Sequence, residues 1–253
     1  ARRIVGAWRA PNGLLSDLSN LKDIGVDVLR HVAPVAPDGM LALIERHVER
    51  NGLAWLTGFQ NKLRTVVLNL LAGLVYETDL FERAIKLLVI FAEAESDDSK
   101  EDNVRGRLNR LFQLYLSGTH ASPDQRAALV REHLLSAEAT RQNLALGMLG
   151  SALEAMHWSS AHDFEFGARL RDYGLRPDYV GAIEWFRLFL ALAREAAKGS
   201  NADLRDGVRK LIADKFRGLW MYVDLRSDLL ALGFALNRQR PWVEGWRAVR
   251  GIL

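Results

Sequence analysis

The chain has no cysteine. That excludes disulfides, thiolate zinc sites and a cysteine nucleophile, and it fits a reducing compartment; we expect the cytoplasm. It also has no long apolar run. The longest charge-free apolar stretch, Thr65 to Tyr76, is too short for a bilayer, which needs roughly 20 residues, so no membrane partner is expected. No run of Lys or Arg marks a nucleic-acid stripe, and 34 basic against 31 acidic residues leaves the charge nearly balanced. A glycine-rich phosphate loop, GxSxG, HExxH and CxxC are all missing, which removes the sequence basis for an NTPase, a serine hydrolase or a zincin in this segment.

What is present is a long series of amphipathic helices. The apolar share of 49% in 253 residues is enough for a large core. Residues 1–36 read as short helices with loose joints. Asp38 stands where an N-cap belongs, ahead of Met40, Leu41, Leu43, Ile44 and Val48, and Asn51-Gly52 ends that helix. A second stripe runs from Trp55 through Phe59, Leu63 and Val67 to Leu74. Asp79 with Glu82 has the spacing of a capping box for the next helix. Residues 93–102 read as a solvated acidic loop without the spacing of a calcium site.

Val104, Leu108, Leu111, Phe112 and Tyr115 predict a helix stopped by Gly118. Ser122-Pro123-Asp124-Gln125 is the strongest helix start in the chain. Ala145, Gly147, Gly150 and Ala152 then give one helix a face that a neighbour can approach closely. Asp178, Asn201 or Asp203, Leu225 and Pro241 open the last helices. About ten helices and no convincing strand make the fold class all-α. Strong starts near 38, 79 and 123 match the period of paired-helix repeats, so an irregular HEAT/armadillo-like solenoid is expected, with a compact helical bundle as the alternative. We expect 1–253 to be a single helical-repeat domain and a fragment of a longer chain.

One stretch, 162–177, departs from helical patterning. It holds Phe164, Phe166, Arg169, Arg171, Asp172 and Tyr173, the candidate interaction or structural motif. Arginine forks there suit a phosphate or carboxylate. The competing reading is an ordered connector: the aromatics anchor it, Arg169 or Arg171 pairs with Asp172, Glu165 or a helix C-terminus, and Gly174 supplies a positive φ. A metal at His157, His162, Asp163 and Glu165 is disfavoured by spacing that does not suit a helical ligand pair. Carboxylates Asp163, Glu165 and Asp172 carry no acid–base motif. Trp242 and Trp246, four apart, are expected to form a contact face.

Two pieces taken together resemble a known family. They are Leu111-Phe112-Gln113-Leu114-Tyr115-Leu116-Ser117-Gly118-Thr119-His120-Ala121 with Arg126, and Phe164-Glu165-Phe166-Gly167-Ala168-Arg169-Leu170-Arg171-Asp172-Tyr173-Gly174 with Pro177. They are similar to the helical region that follows the nucleotide-binding domain in large bacterial STAND-like NTPases, many of them implicated in antiphage defence. Trp8 to Gly13 and Ala33-Pro34-Val35-Ala36-Pro37 fit the same pattern. The resemblance implies a non-catalytic segment without cofactor, serving sensing, autoinhibition or oligomer contacts. Its partner is then a protein or another domain of the same chain. A nucleic-acid-binding helical module is the alternative, and an unrecognised enzyme near His162, Glu165 and Arg169 the less favoured one.

Overall fold

The computed structural model describes residues 2–21, 23–56, 62–95, 103–160, 165–167 and 169–252. Within them lie twelve α-helices: α1 (Arg2–Trp8), α2 (Asp23–Val32), α3 (Pro37–Asn51), α4 (Lys62–Leu74), α5 (Phe81–Glu93), α6 (Val104–Arg110), α7 (Pro123–Leu134), α8 (Ala139–Ala152), α9 (Tyr179–Ala196), α10 (Ala202–Trp220), α11 (Arg226–Gln239) and α12 (Val243–Arg250). A two-residue antiparallel ladder, β1 (Glu165–Phe166) with β2 (Arg169–Leu170), is too short to alter the all-α class. No described helix is long and apolar enough to cross a membrane.

One apolar cluster runs from Val5 to Trp242 with buried residues from α1 to α11, and Ala248 and Val249 of α12 pack against it. Its hub is α8, which packs against α5, α6, α7, α9 and α10. The small residues of α8 explain that position. A Cβ on Gly147 would meet the Asn109 side chain at 2.7 Å, and one on Gly150 would meet Leu211 at 2.9 Å. Helices α6 and α10 therefore sit so close to α8 that an added methyl group would make the Asn109 or Leu211 side chain shift. The coarse expectation of packed helices holds. The starts of α3, α5 and α7 fall near the expected places, while α5 reaches α8 across two intervening helices, as well as its neighbour α6.

Several local expectations are corrected. Asp38 is not the N-cap of α3; Ala36 is, and the Asp38 carboxylate accepts from Arg83 Nη1 at 2.6 Å instead. Asp79 and Glu82 form no capping box, because α5 begins at Phe81 with Leu80 as its N-cap. Trp55 lies in a 3-10 turn before α4, its indole N–H donating to Gly52 O at 2.8 Å. Phe59 and residues 96–102 of the acidic loop lie outside the described residues.

Other starts are realised. Ser122 Oγ accepts from Gln125 N–H at 3.1 Å, and Gln125 Oε1 accepts from Ser122 N–H at 3.0 Å, a complete capping box. Asp178 and Asn201 cap α9 and α10 through their side chains. Gly52 takes a positive φ of 61° and closes α3.

Candidate functional site

The helix expected to reach Tyr115 stops at Arg110. The N–H groups of Leu111, Phe112 and Gln113 each turn back three residues, to Leu108, Asn109 and Arg110, so the last turn tightens and the chain leaves the helix. The strand-like piece that follows crosses the connector before α9. Gly118 N–H donates to Tyr173 O, and Leu175 N–H donates to Thr119 O, both at 2.8 Å, making a parallel bridge between Thr119 and Gly174. The two sequence pieces that carry the family resemblance therefore meet in space. Tyr115 adds a further tie, its hydroxyl donating to Pro177 O at 3.2 Å.

Arg126 holds the first piece in place. It is fully buried, with no carboxylate partner among the described residues. Its Nε donates to Ala121 O at 3.2 Å, Nη1 to Gln113 O at 2.9 Å and Nη2 to Thr119 O at 3.1 Å. The guanidinium carbon lies 5.1 Å from the centre of the Trp185 ring. Burial lowers its pKa to about 9, which leaves the cation protonated at neutral pH. Three carbonyls and an aromatic face thus replace water around a charge that would otherwise be costly to bury. Trp185 in turn donates its indole N–H to Ala152 O, the last carbonyl of α8, at 2.7 Å.

Arg171 does the same for the second piece. Its side chain is buried and lies between two rings, 4.0 Å from the Phe166 centre and 4.4 Å from that of Tyr76. Nη1 donates to Gly73 O at 2.5 Å, in the last turn of α4, where the helix dipole favours a cation. Glu77 Oε1 is 3.5 Å from Nη2. The Phe166 ring closes against Gly73, where a Cβ would meet it at 3.0 Å.

Asp172 is exposed and turns the opposite way. Its Oδ1 accepts from Gly174 N–H at 2.9 Å and Tyr76 O–H at 3.1 Å, and His120 Nε2 lies 2.9 Å away. The Gly174 N–H bond, above all, holds the Asp172 pKa below the usual carboxylate value. Burial, above all, raises the Tyr76 pKa. Tyr173 is half exposed. Phe164, His162 and Asp163 lie outside the described residues, as do the side chains of Glu165 and Arg169, of which the backbone is in the ladder. Phe166, Arg171 and Asp172 are thus used by the fold itself. Among the described residues, no three His, Asp or Glu side chains gather as a metal ion would require.

Two surface depressions lie elsewhere. A groove of about 380 Å³ is lined by Ala155, Met156, Trp158, Tyr179, Met221 and Tyr222, none of them charged. A larger cleft, about 720 Å³, lies between α10 and α12 and is lined chiefly by charged side chains. Trp242 does not share an exposed face with Trp246: it is 4% exposed, and its indole N–H donates to Arg209 O at 3.1 Å, whereas Trp246 is 71% exposed. The buried Arg209 carbonyl, as acceptor for the indole N–H, holds Trp242 inward.

Sequence reading passed over the groove, met Arg126 only as part of a resemblance, and counted Arg209 only among the arginines that a nucleic-acid-binding face would need to gather. A signal for both arginines was present. Arg126 stands three and four residues before buried Leu129 and Val130, and Arg209 three and four before buried Ile212 and Ala213, so each lies on the apolar stripe of its helix. The groove left no local signal, because it joins the end of α8, the start of α9 and the end of α10. No family model, no curated protein and no solved structure matches this chain.

Proposed function

We propose that this chain is a non-catalytic helical-repeat scaffold for protein recognition or autoinhibition, working in the cytoplasm within a larger bacterial STAND-like NTPase of the antiphage-defence kind. The observation that carries this reading is where apolar surface is left uncovered. Of fifteen exposed large apolar side chains among the described residues, eight lie between Tyr179 and Trp246, which is less than a third of the chain. Three of the fifteen, Met156, Tyr179 and Met221, line one groove, and apolar surface exposed together in this way marks interaction sites. The charge-free groove beside Met156 and Met221 is the part best shaped for a partner. Flexible thioethers next to Trp158, Tyr179 and Tyr222 suit the apolar face of a partner helix, whether from another protein or from another domain of the same chain. The meeting of the two family-like pieces at Thr119 and Gly174 supports the likeness to STAND-like proteins, since it gives both motifs one structural purpose.

The test is affinity capture from native lysate, with and without phage infection, using the wild-type chain and a Met156→Ser/Met221→Ser variant. Both methionines are exposed, so the variant keeps its melting temperature within about 2 °C. A partner held by the wild-type chain and lost by the variant supports the reading. Equal capture by both chains, or none by either, overturns the groove as the recognition surface.

A further inference from the structure

We infer that the cleft between α10 and α12 binds single-stranded nucleic acid, with phosphates on Lys210 and Arg247 and a base stacked on Trp246. The first observation is where the charge resides. From Ala202 to Leu253 the chain has ten Lys and Arg against six Asp and Glu; with 34 against 31 in total, the preceding 201 residues hold 24 against 25. The positive excess of the chain therefore belongs to its last three helices and the joints between them.

The second observation is the construction of the cleft. Buried Arg209 forms part of its wall, donating through Nη1 to Leu236 O at 2.7 Å and through Nη2 to Arg240 O and Pro241 O at 2.8 and 3.0 Å. These bonds fix the turn between α11 and α12 and leave a cation, with no ion pair among the described residues, beneath the surface. A positive charge in such a low-dielectric wall acts on the cleft with little screening. Lys210 and Arg247 line opposite sides, also without ion pairs among the described residues. Arg240 is bound to Asp206 at 2.7 Å, so that pair is neutral, while Asp214 and Glu244 stand against the cations.

The cationic track continues beyond the cleft. Arg217 is two helical turns from Lys210 on α10, and Arg250 is one turn from Arg247 on α12. Val243, Trp246, Arg247 and Arg250 follow the three-and-four spacing of one exposed helix face. Trp246 has no ring partner among the described residues, and its exposure beside Arg247 offers the combination of π-face and cation by which proteins hold single strands.

The cleft shares no lining residue with the Met156–Met221 groove, so the two assignments fail separately. The test is fluorescence anisotropy with a labelled oligothymidylate of about 20 nucleotides. Four phosphate contacts, to Lys210, Arg217, Arg247 and Arg250, give an expected fall in affinity of roughly 50-fold between about 50 and 200 mM salt. Trp246→Ala weakens binding by about 5-fold or more. Lys210→Glu with Arg247→Glu abolishes it, while Lys86→Glu on α5 leaves it unchanged, with circular dichroism confirming helix content in each variant. Absence of binding at the lower salt overturns the inference. So does binding that ignores the cleft substitutions, tighter binding of a duplex of the same length, or tighter binding of anionic phosphatidylserine vesicles.

Discussion

A first side-chain carbon placed on Gly174 would lie 2.4 Å from both the backbone nitrogen and the carbonyl oxygen of Thr119. Gly174 also has a φ of +85°, a region that residues with a side chain rarely adopt. The crossing of the two motif-bearing pieces thus depends on the absence of one methyl group.

Gly174→Ala is expected to cost about 3 kcal/mol or more, combining backbone strain with a clash against main chain that cannot yield. That lowers the melting temperature by about 6–12 °C for a chain of this size. Gly6→Ala in α1 is the control: its Cβ meets nothing within 4 Å, and helix propensity alone predicts a gain of up to about 1 kcal/mol. Equal melting temperatures for the two variants would contradict the crossing described here.

Arg126 is expected to tolerate no replacement. Arg126→Ala leaves the carbonyls of Gln113 and Ala121 buried without the guanidinium donor, takes from Thr119 O one of its two donors, and empties a large volume, at a cost of about 3–5 kcal/mol. Arg126→Lys restores the charge but not the planar fork, and recovers less than half of that loss. Urea titration measures both, as a shift in midpoint at constant slope.

For the candidate motif, Arg171 and Tyr173 are expected to separate. Arg171→Ala removes a buried side chain stacked between Phe166 and Tyr76 and costs about 2–4 kcal/mol. Tyr173→Ala, at a half-exposed position, costs about 1 kcal/mol or less. Thermal melts decide between them. A Tyr173→Ala chain that melts like wild type is the suitable probe of partner binding at this motif; an Arg171→Ala chain is not.

Asp172 gives a pH dependence of known sign. Its folded pKa lies below the unfolded value, so its contribution is present above the ordinary carboxylate pKa and is lost as pH falls through the lowered one. Asp172→Asn should therefore melt about 2–4 °C below wild type at pH 7, for roughly 1 kcal/mol in charge-assisted hydrogen bonds discounted for exposure. The gap should narrow as pH falls below about 4. A gap that widens in acid would show that the Asp172 carboxylate does not hold Gly174, Tyr76 and His120 as described.

The helix caps allow a sharper comparison. Ser122→Ala removes the hydroxyl that accepts from Gln125 N–H, one of the two bonds of a formed capping box, and is expected to cost about 1 kcal/mol. Asp79→Ala, in a sequence with the same capping-box spacing, is expected to lie within about 0.5 kcal/mol of wild type, since Asp79 is exposed and caps nothing. Chemical denaturation of the two variants side by side gives the answer.

These two caps show how far local patterning reaches. By itself the sequence determined the class: apolar residues three and four apart define helices because 3.6 residues complete a turn, and that periodicity needs no tertiary partner. Ser122, Asp178 and Asn201 were legible as caps for the same reason, each bond spanning only two or three residues. Gly174 was legible as a positive-φ position. The tertiary structure decided the rest. Asp38 was drawn to Arg83, 45 residues away, and the helix before Tyr115 was cut short where its downstream carbonyls turn toward Arg126. Whether Arg171 was displayed for a ligand or buried between Tyr76 and Phe166 depended on α4, almost a hundred residues earlier. Such partners are chosen by packing and by the cost of burying an unpaired charge, neither of which has a period along the chain.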